Sequence, residues 1–185
     1  MVGKFKRRAV SRNSMSGFTL IELLIVIIVL GILAMVIIPQ ITVSTEDAKV
    51  STLKSNLSAM RNAIELYYHQ HDNVYPGAKS ITGGTPADAA AAATAFLQQL
   101  TQFTKVDGTV SPSKTADAKY GPYVKSTALP ENPFKNLKTV LCDIATTDIT
   151  SKSADGTTDW KFYTITGVLI ANDNLTTGGT AHSDY

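Results

Sequence analysis

Cysteine is nearly missing from this sequence: Cys142 is the only one among 185 residues, and one cysteine cannot form an internal disulfide. Aromatic residues make up 8% of the chain, charged residues 17%, and the net charge is only +2. With 44% hydrophobic residues, this composition excludes a disordered chain, a collagen-like fibre, a disulfide-stabilised scaffold and a polytopic membrane protein. The length predicts one domain with a modest core.

Common catalytic motifs are missing too, since the sequence has no G-x-S-x-G, P-loop or G-x-G-x-x-G pattern. His69 and His71 are two residues apart and point to different faces of a helix, so we expect two solvated histidines rather than a metal pair. Cys142 has no histidine nearby in sequence, which favours a buried apolar role. The sequence therefore predicts a protein that is not an enzyme.

A nucleic-acid-binding pattern is not evident either. Residues 105–138 hold six lysines and three acidic residues, but the lysines are spaced singly and no aromatic residues interleave with them on one face. Residues 139–185 carry six acidic residues and two lysines. One hypothesis is that these two parts of neighbouring subunits face each other, with Lys135 and Lys138 as the residues to test.

The positive charge is concentrated at the start of the chain. Residues 1–17 contain five basic residues and no acidic one: Lys4, Lys6, Arg7, Arg8 and Arg12. Without them, 12 basic residues remain against 15 acidic ones, a net charge of −3. The protein is therefore not a basic protein once these residues are removed.

A long apolar run follows the basic segment. Residues 18–38 form 21 consecutive positions interrupted only by Thr19, Glu22 and Gly31. A helix of this length spans about 30 Å, the thickness of the hydrocarbon core of a bilayer. Basic residues before the run predict a transmembrane helix with its N-terminus in the cytoplasm.

The small residues Ser16 and Gly17 precede the apolar run, whereas a secretory signal carries its cleavage site after the run. Cleavage here would remove the charges and keep the helix.

Glu22 is unusual because a carboxylate one turn into an apolar helix is costly unless it is paired or near the interface. It is either a tolerated charge at a membrane boundary or the partner of the new α-amino group of Phe18 in a neighbouring copy.

The sequence GFTLIELLIVIIVLGILAMVIIP, residues 17–39, resembles the N-terminal signature of type IV pilins and type II secretion pseudopilins, most of all the G-type major pseudopilins. The resemblance implies cleavage after Gly17 by a prepilin peptidase, N-methylation of Phe18 and a role of Glu22 in assembly. It also places a helix kink at Pro39, with Gly31 as a second candidate position. Met15 is an alternative start that would leave only a Met-Ser-Gly leader.

The helical pattern continues beyond Pro39. Apolar residues recur at helical spacing: Val50, Leu53, Leu57, Met60, Ile64 and Tyr67. We therefore expect a leader at 1–17, a transmembrane and filament-core helix at 18–38, an amphipathic continuation at 39–72 and a periplasmic or extracellular globular domain at 73–185.

Within the globular domain, Thr85-Pro86-Ala87-Asp88 predicts the start of an alanine-rich helix with Thr85 as its N-cap. The sequence predicts three strands of a small antiparallel sheet, at residues 139–143, 160–165 and 168–171. It predicts a poorly ordered polar end at residues 172–185. The predicted fold is α+β and pilin-like, with one long helix packed on a small sheet.

The segment 151–159 contains Asp155-Gly156 followed by Asp159, and carboxylates are the oxygen ligands that calcium prefers. Major pseudopilins bind calcium in a loop near this point, but here the loop is shorter and has fewer acidic residues. A polar hairpin turn is the favoured interpretation, no cofactor is expected, and Asp155 and Asp159 are retained as calcium candidates.

The resemblance implies a homo-oligomeric helical filament that drives protein export. Its implied partners are the prepilin peptidase, a platform protein of the bacterial inner membrane, an assembly ATPase and minor pseudopilins. Before assembly the chain would span that membrane once, and nucleic acid is not an expected partner. The alternatives are a true type IV pilin for adhesion, motility or DNA uptake and, outside the family, a membrane-tethered binding module. A single cysteine favours the pseudopilin because many true pilins close their C-terminal region with a disulfide.

Overall fold

The computed structural model describes residues 17–185, apart from the side chains of residues 36–44. The basic residues of the expected leader lie outside the described residues. The chain divides into two compact units, one ending at Ser44 and the other comprising Thr45–Tyr185. The long helix α1 (Leu20–Gln70) belongs to both, and each unit is described by itself below.

The unit Thr45–Tyr185 contains the end of α1, a second helix α2 (Ala89–Thr101) and seven short strands. The strands are β1 (Phe103–Thr104), β2 (Val110–Ser111), β3 (Val140–Asp143), β4 (Trp160–Tyr163), β5 (Leu169–Ala171), β6 (Thr176–Thr177) and β7 (Thr180–Ala181). A 3₁₀ helix, His182–Asp184, follows β7. The predicted α+β class is confirmed.

The core lies between α1, α2 and the central sheet. From α1 it receives the predicted apolar stripe, buried from Leu53 to Tyr67, while Val50 is half-buried. Phe96 of α2 lies against Phe162 of β4, with ring centroids 4.6 Å apart. Trp160, which is fully buried, joins the same cluster. The stripe therefore forms a core-packing face, as its spacing predicts.

Both helices have ends that differ from the prediction by a few residues. Helix α1 ends at Gln70, before Asp72 and Asn73, whose φ angles of 53° and 59° cannot continue a right-handed helix. Helix α2 begins at Ala89 instead of directly after Thr85, because the Asp88 carboxylate accepts a 2.7 Å hydrogen bond from the backbone N–H of Ala91.

The central sheet has the order β3-β4-β5 and is mixed rather than purely antiparallel. Strands β4 and β5 are antiparallel, with Trp160 opposite Ala171. Strands β3 and β4 are parallel, with Val140 opposite Trp160. The connection 144–159 is long enough to carry the chain back along the sheet, and parallel pairs need a crossover of this kind. The antiparallel prediction was wrong for this pair.

Residues 172–185 are ordered, which corrects the expectation of a poorly ordered end. They form the β6–β7 hairpin, in which Thr176 pairs with Ala181, and the 3₁₀ helix. Arg61 of α1 donates to the carbonyl oxygen of Tyr185 at 2.7 Å, and Lys54 Nζ lies 4.2 Å from the centre of the Tyr185 ring. These contacts hold the segment against the core.

Candidate functional site

The N-terminal candidates lie at the start of α1. Thr19 precedes the helix, and its backbone N–H and hydroxyl both donate to Glu22 Oε2, at 2.8 Å and 2.7 Å. The Glu22 N–H lies 3.3 Å from Thr19 Oγ1, which completes a reciprocal capping box. Glu22 is therefore held at the helix terminus by Thr19 of its own chain, the residue that follows Phe18.

The helix segment that follows is apolar on every face. Its large side chains from Phe18 to Met35 are between 47% and 87% exposed. A contiguous apolar surface of this kind marks contact with a membrane or with other protein. Among the described residues, no helix has an apolar stretch long enough to cross a membrane.

Several predicted features of this segment fall outside the described residues. Residues 1–16 do, and so do the side chains of 36–38, the last positions of the predicted span 18–38. The Pro39 side chain is also outside them, while a Cβ added at Gly31 would meet no atom within 4 Å. The cleavage site, the methylation site, the role of Glu22 and the kinks at Gly31 and Pro39 stay predictions.

The other candidate is the loop 153–159, which leads into β4. The Asp155 carboxylate is occupied by protein donors: its Oδ1 accepts from the Thr157 N–H at 2.9 Å, from the Thr157 hydroxyl at 2.6 Å and from Asn172 Nδ2 at 2.8 Å. The Asp155 N–H in turn donates to Asn172 Oδ1 at 2.8 Å. Asp155 therefore closes a turn and ties it to the chain after β5.

The Asp159 carboxylate, unlike that of Asp155, has no protein donor of good geometry in the described part of the chain. It is fully buried, and neither carboxylate oxygen has a hydrogen-bond partner among the described residues. Burial raises the pKa of Asp159 to about 6, while the Asn132 backbone N–H and the Lys135 ammonium act against that rise. The Lys135 ammonium also donates to the Gly156 carbonyl oxygen. Lys135 therefore reaches the loop beside this carboxylate.

Sequence reasoning missed a buried polar cluster next to this loop. Asp173 Oδ2 accepts from Asn132 Nδ2 at 2.7 Å and lies 2.8 Å from His182 Nδ1. The side chains of Asp173 and His182 are both fully buried. Asn132 also accepts from the Phe134 N–H at 2.9 Å within its own loop, so its bond to Asp173 links the loop before β3 to the chain after β5. No periodic pattern marks these residues, because their contacts are far apart in sequence.

Two minor expectations have different outcomes. Cys142 is buried, as expected, and burial raises the pKa of its thiol to about 12. His69 is exposed, but His71 is only 1% exposed, so the expectation of two solvated histidines was wrong for His71. Its Nε2 lies 2.9 Å from Oγ1 of Thr104 in β1.

Comparison with known proteins links the N-terminal segment to one group. Residues 12–38 match the family model described as the prokaryotic N-terminal methylation motif. The chain is similar to type II secretion system core protein G of Pseudomonas aeruginosa, with 41% identity over 56 residues that cover 30% of this chain and 39% of the relative. The protein of the same name from Aeromonas hydrophila is 37% identical over 65 residues, 35% of this chain and 45% of the relative.

The N-terminal segment of the chain is therefore similar to that of type II secretion pseudopilins and carries the prokaryotic N-terminal methylation motif. A fimbrial protein of Pseudomonas aeruginosa is also similar, with 33% identity over 96 residues that cover 52% of this chain and 55% of that protein. The matched region spans about half or less of the length of these relatives. No solved structure gives a significant match.

The resemblance to major pseudopilins raises calcium as a ligand of the loop 153–159, and the residues present do not fit it. Oδ1 of Asp155 is occupied by three donors, and the carbonyl of Gly156 accepts from an ammonium group. Over residues 17–185 as described, no three His, Cys, Asp or Glu side chains are grouped to hold a metal ion. Asp159 is the remaining hard ligand, and calcium needs six to eight oxygens.

Proposed function

We propose that this protein is a structural subunit of a type II secretion pseudopilus or a related filament, without catalytic activity. In this proposal the chain is cleaved after Gly17, methylated on Phe18 and polymerised through α1. The filament then supports protein export. The observation that carries the proposal is the start of α1, where exposed apolar side chains cover every face and Glu22 lies in the first turn. This segment also matches the N-terminal methylation motif.

The chemistry of this segment suits a helical bundle. Apolar side chains on every face are buried when identical helices pack side by side, and a repeated non-closing contact between identical subunits gives a fibre. Cleavage after Gly17 places a new α-amino group four residues before Glu22. A neighbouring subunit displaced by about one helical turn brings its amine to this carboxylate, and pairing makes burial of both charges tolerable.

Partners and location follow from the same proposal. Before assembly the chain spans the inner membrane once, with its N-terminus in the cytoplasm and residues 73–185 in the periplasm. A prepilin peptidase cleaves and methylates it, and a platform protein and an assembly ATPase extract it into the filament together with minor pseudopilins. These partners carry out the enzymatic steps and the mechanical work.

The proposal is tested by coexpressing the full chain with a prepilin peptidase and an assembly system. We expect mass spectrometry to find a mature chain that begins with N-methylated Phe18. Glu22→Ala should be cleaved but should fail to form filaments in shearing and electron microscopy assays. Glu46→Ala, at an exposed position of the same helix, is the matched control and should assemble normally.

Two results would contradict the proposal. If the peptidase leaves the bond between Gly17 and Phe18 intact, the leader assignment is wrong. If Glu22→Ala forms filaments as well as the unmodified chain, the carboxylate has no assembly role. A membrane-tethered binding module predicts this indifference, because a tether needs only an apolar helix.

A true type IV pilin is the second candidate, since the similarity to a fimbrial protein extends over 52% of this chain. Deleting the gene in its own host separates the two functions. A pseudopilus subunit is required for protein export, whereas a pilus subunit is required for surface filaments and for adhesion, motility or DNA uptake. Filaments that shorten through a retraction ATPase would favour the pilus.

A further inference from the structure

The loop 153–159 is the place where the resemblance implies calcium and where the side chains do not fit it. We propose that the Lys135 ammonium is the cation that organises this loop, and that the protein folds there without calcium. Lys135 follows the buried Asn132 and reaches across to the Gly156 carbonyl oxygen. The inference concerns the globular unit and is independent of the proposed filament function.

The loop is already closed by bonds from the protein itself. At its start, the Ser153 N–H donates to the Tyr163 hydroxyl at 2.9 Å, and Lys161 Nζ donates to the Ser153 carbonyl at 3.0 Å. In its middle, Asp155 accepts three hydrogen bonds and donates one to Asn172. At its end, the Asn172 N–H donates to the Asp159 carbonyl at 2.8 Å. Protein donors thus occupy Asp155 Oδ1 and the carbonyl oxygens of Ser153, Gly156 and Asp159, which a metal ion in this loop would need.

The buried carboxylate of Asp159 requires a positive charge nearby. A fully buried ionised carboxylate whose oxygens lack hydrogen bonds of good geometry is strongly unfavourable unless a cation is near. Lys135 is such a cation, and its charge favours the ionised form of Asp159. A lysine ammonium is a compact point charge on a flexible stem, so it can bridge the Gly156 carbonyl and the field of this carboxylate.

A calcium ion in the same position would meet an opposing charge. The Lys135 ammonium lies at the loop carbonyl that would serve as a ligand, and two like charges at this separation repel each other. Calcium could enter only if Lys135 moved out. The structure therefore favours a single internal cation over a bound metal.

The test uses the full chain in detergent micelles, with thermal unfolding followed by the fluorescence of Trp160. This is the only tryptophan of the sequence, and its Nε1–H donates to the Pro130 carbonyl at 2.9 Å near the loop. For the unmodified chain we expect the same Tm in calcium and in EDTA. Lys135→Met should lower Tm by about 5–10 °C, because it leaves a buried charge without its cation.

Four further variants separate a charge effect from simple loss of packing. Lys135→Arg keeps the positive charge and should retain most of the Tm. Lys135→Met combined with Asp159→Asn should lose less Tm than the sum of the two single changes, because the two side chains act on each other. Lys138→Met is the matched control, since Lys138 is half-exposed and its ion pair with Glu131 is a surface one.

The proposal is overturned if calcium raises the Tm of the unmodified chain in a saturable way, or if calorimetry with calcium chloride alone gives a stoichiometric binding heat. Additive effects of Lys135→Met and Asp159→Asn would overturn it as well. If Lys135→Met does not fold, the calcium and EDTA measurements on the unmodified chain still decide the question.

Discussion

The His71 ring lies stacked on the Tyr67 ring, with centroids 3.7 Å apart and planes within 3° of each other. His71 Nδ1 is 2.8 Å from the Tyr67 carbonyl oxygen, which can only accept, so Nδ1 carries the proton of the neutral ring. Nε2 then accepts from the hydroxyl of Thr104 at 2.9 Å. Burial lowers the pKa of His71, so this pair is built around a neutral imidazole at the end of α1.

The contribution of His71 to stability should therefore fall in mild acid. Because the pKa of His71 is lower in the folded chain than in the unfolded chain, the unfolded chain binds the proton first. The His71 contribution to the free energy of unfolding should decrease as the pH drops below about 6.5, by no more than about 1.4 kcal/mol per pH unit for one proton. The raised pKa of Asp159 acts in the opposite direction and offsets part of this loss. Urea unfolding at pH 7.5 and at pH 5.5 measures this loss.

The control for this pH dependence is the neighbouring exposed histidine. His71→Gln should flatten the pH dependence in this range, while His69→Gln should leave it unchanged. An unaltered slope in His71→Gln would mean that another group controls acid stability.

Gln99 should be one of the most sensitive polar residues of the fold. It is fully buried, its Oε1 accepts from the Gly77 N–H at 2.8 Å, and its Nε2 donates to the Gly108 carbonyl at 2.9 Å. Gln99→Leu keeps the size but leaves both backbone groups unpaired, at a cost of about 2–4 kcal/mol. Chemical denaturation gives this value, and Gln98→Leu, at the adjacent half-buried position, should change stability by less than half as much.

Gly167 should not tolerate a side chain. Its φ is +75°, and a Cβ at this position would overlap the ring of Tyr75. We expect Gly167→Ala to destabilise the fold by about 2–4 kcal/mol, through positive-φ strain and overpacking together. Gly178→Ala isolates the first contribution, because Gly178 has a φ of +59° and a Cβ added there would meet no atom within 4 Å. Equal effects of both changes would argue against the clash.

The N-cap of α2 gives a test of helix position. Asp88→Ala removes the bond to the Ala91 N–H and should reduce stability by about 1 kcal/mol. Thr85→Ala, at the cap that the sequence pattern predicts, should have almost no effect. Unfolding curves of the two variants, compared at constant pH, distinguish the two starts, and a larger loss in Thr85→Ala would refute the cap at Asp88.

Local patterns were sufficient to predict much of the fold. The apolar spacing from Leu53 to Tyr67 identifies a buried helix face because the helical period repeats along it. The three strands β3, β4 and β5 were predicted to within two residues, since β-branched and aromatic runs are bounded by turn residues. The contiguous apolar segment at the start of α1 was equally clear from composition.

Features that depend on distant contacts were not predictable. The parallel pairing of β3 with β4 depends on the path of residues 144–159, which carries no periodic signal. The fixed conformation of the chain after Ala171 depends on Asp173 and His182. These two side chains pair with each other inside the protein, although polar residues are usually exposed. Lys135 and its contact with the Gly156 carbonyl belong to the same class, because the two residues are 21 positions apart.

The burial of Cys142 has a practical consequence for mapping subunit neighbours. Cys142 is 1% exposed and burial raises the pKa of its thiol, so we expect it to react slowly with maleimides and to resist oxidation. The unmodified chain therefore provides a nearly silent background. A single cysteine introduced at an exposed position can be labelled or cross-linked selectively, without first replacing the native one.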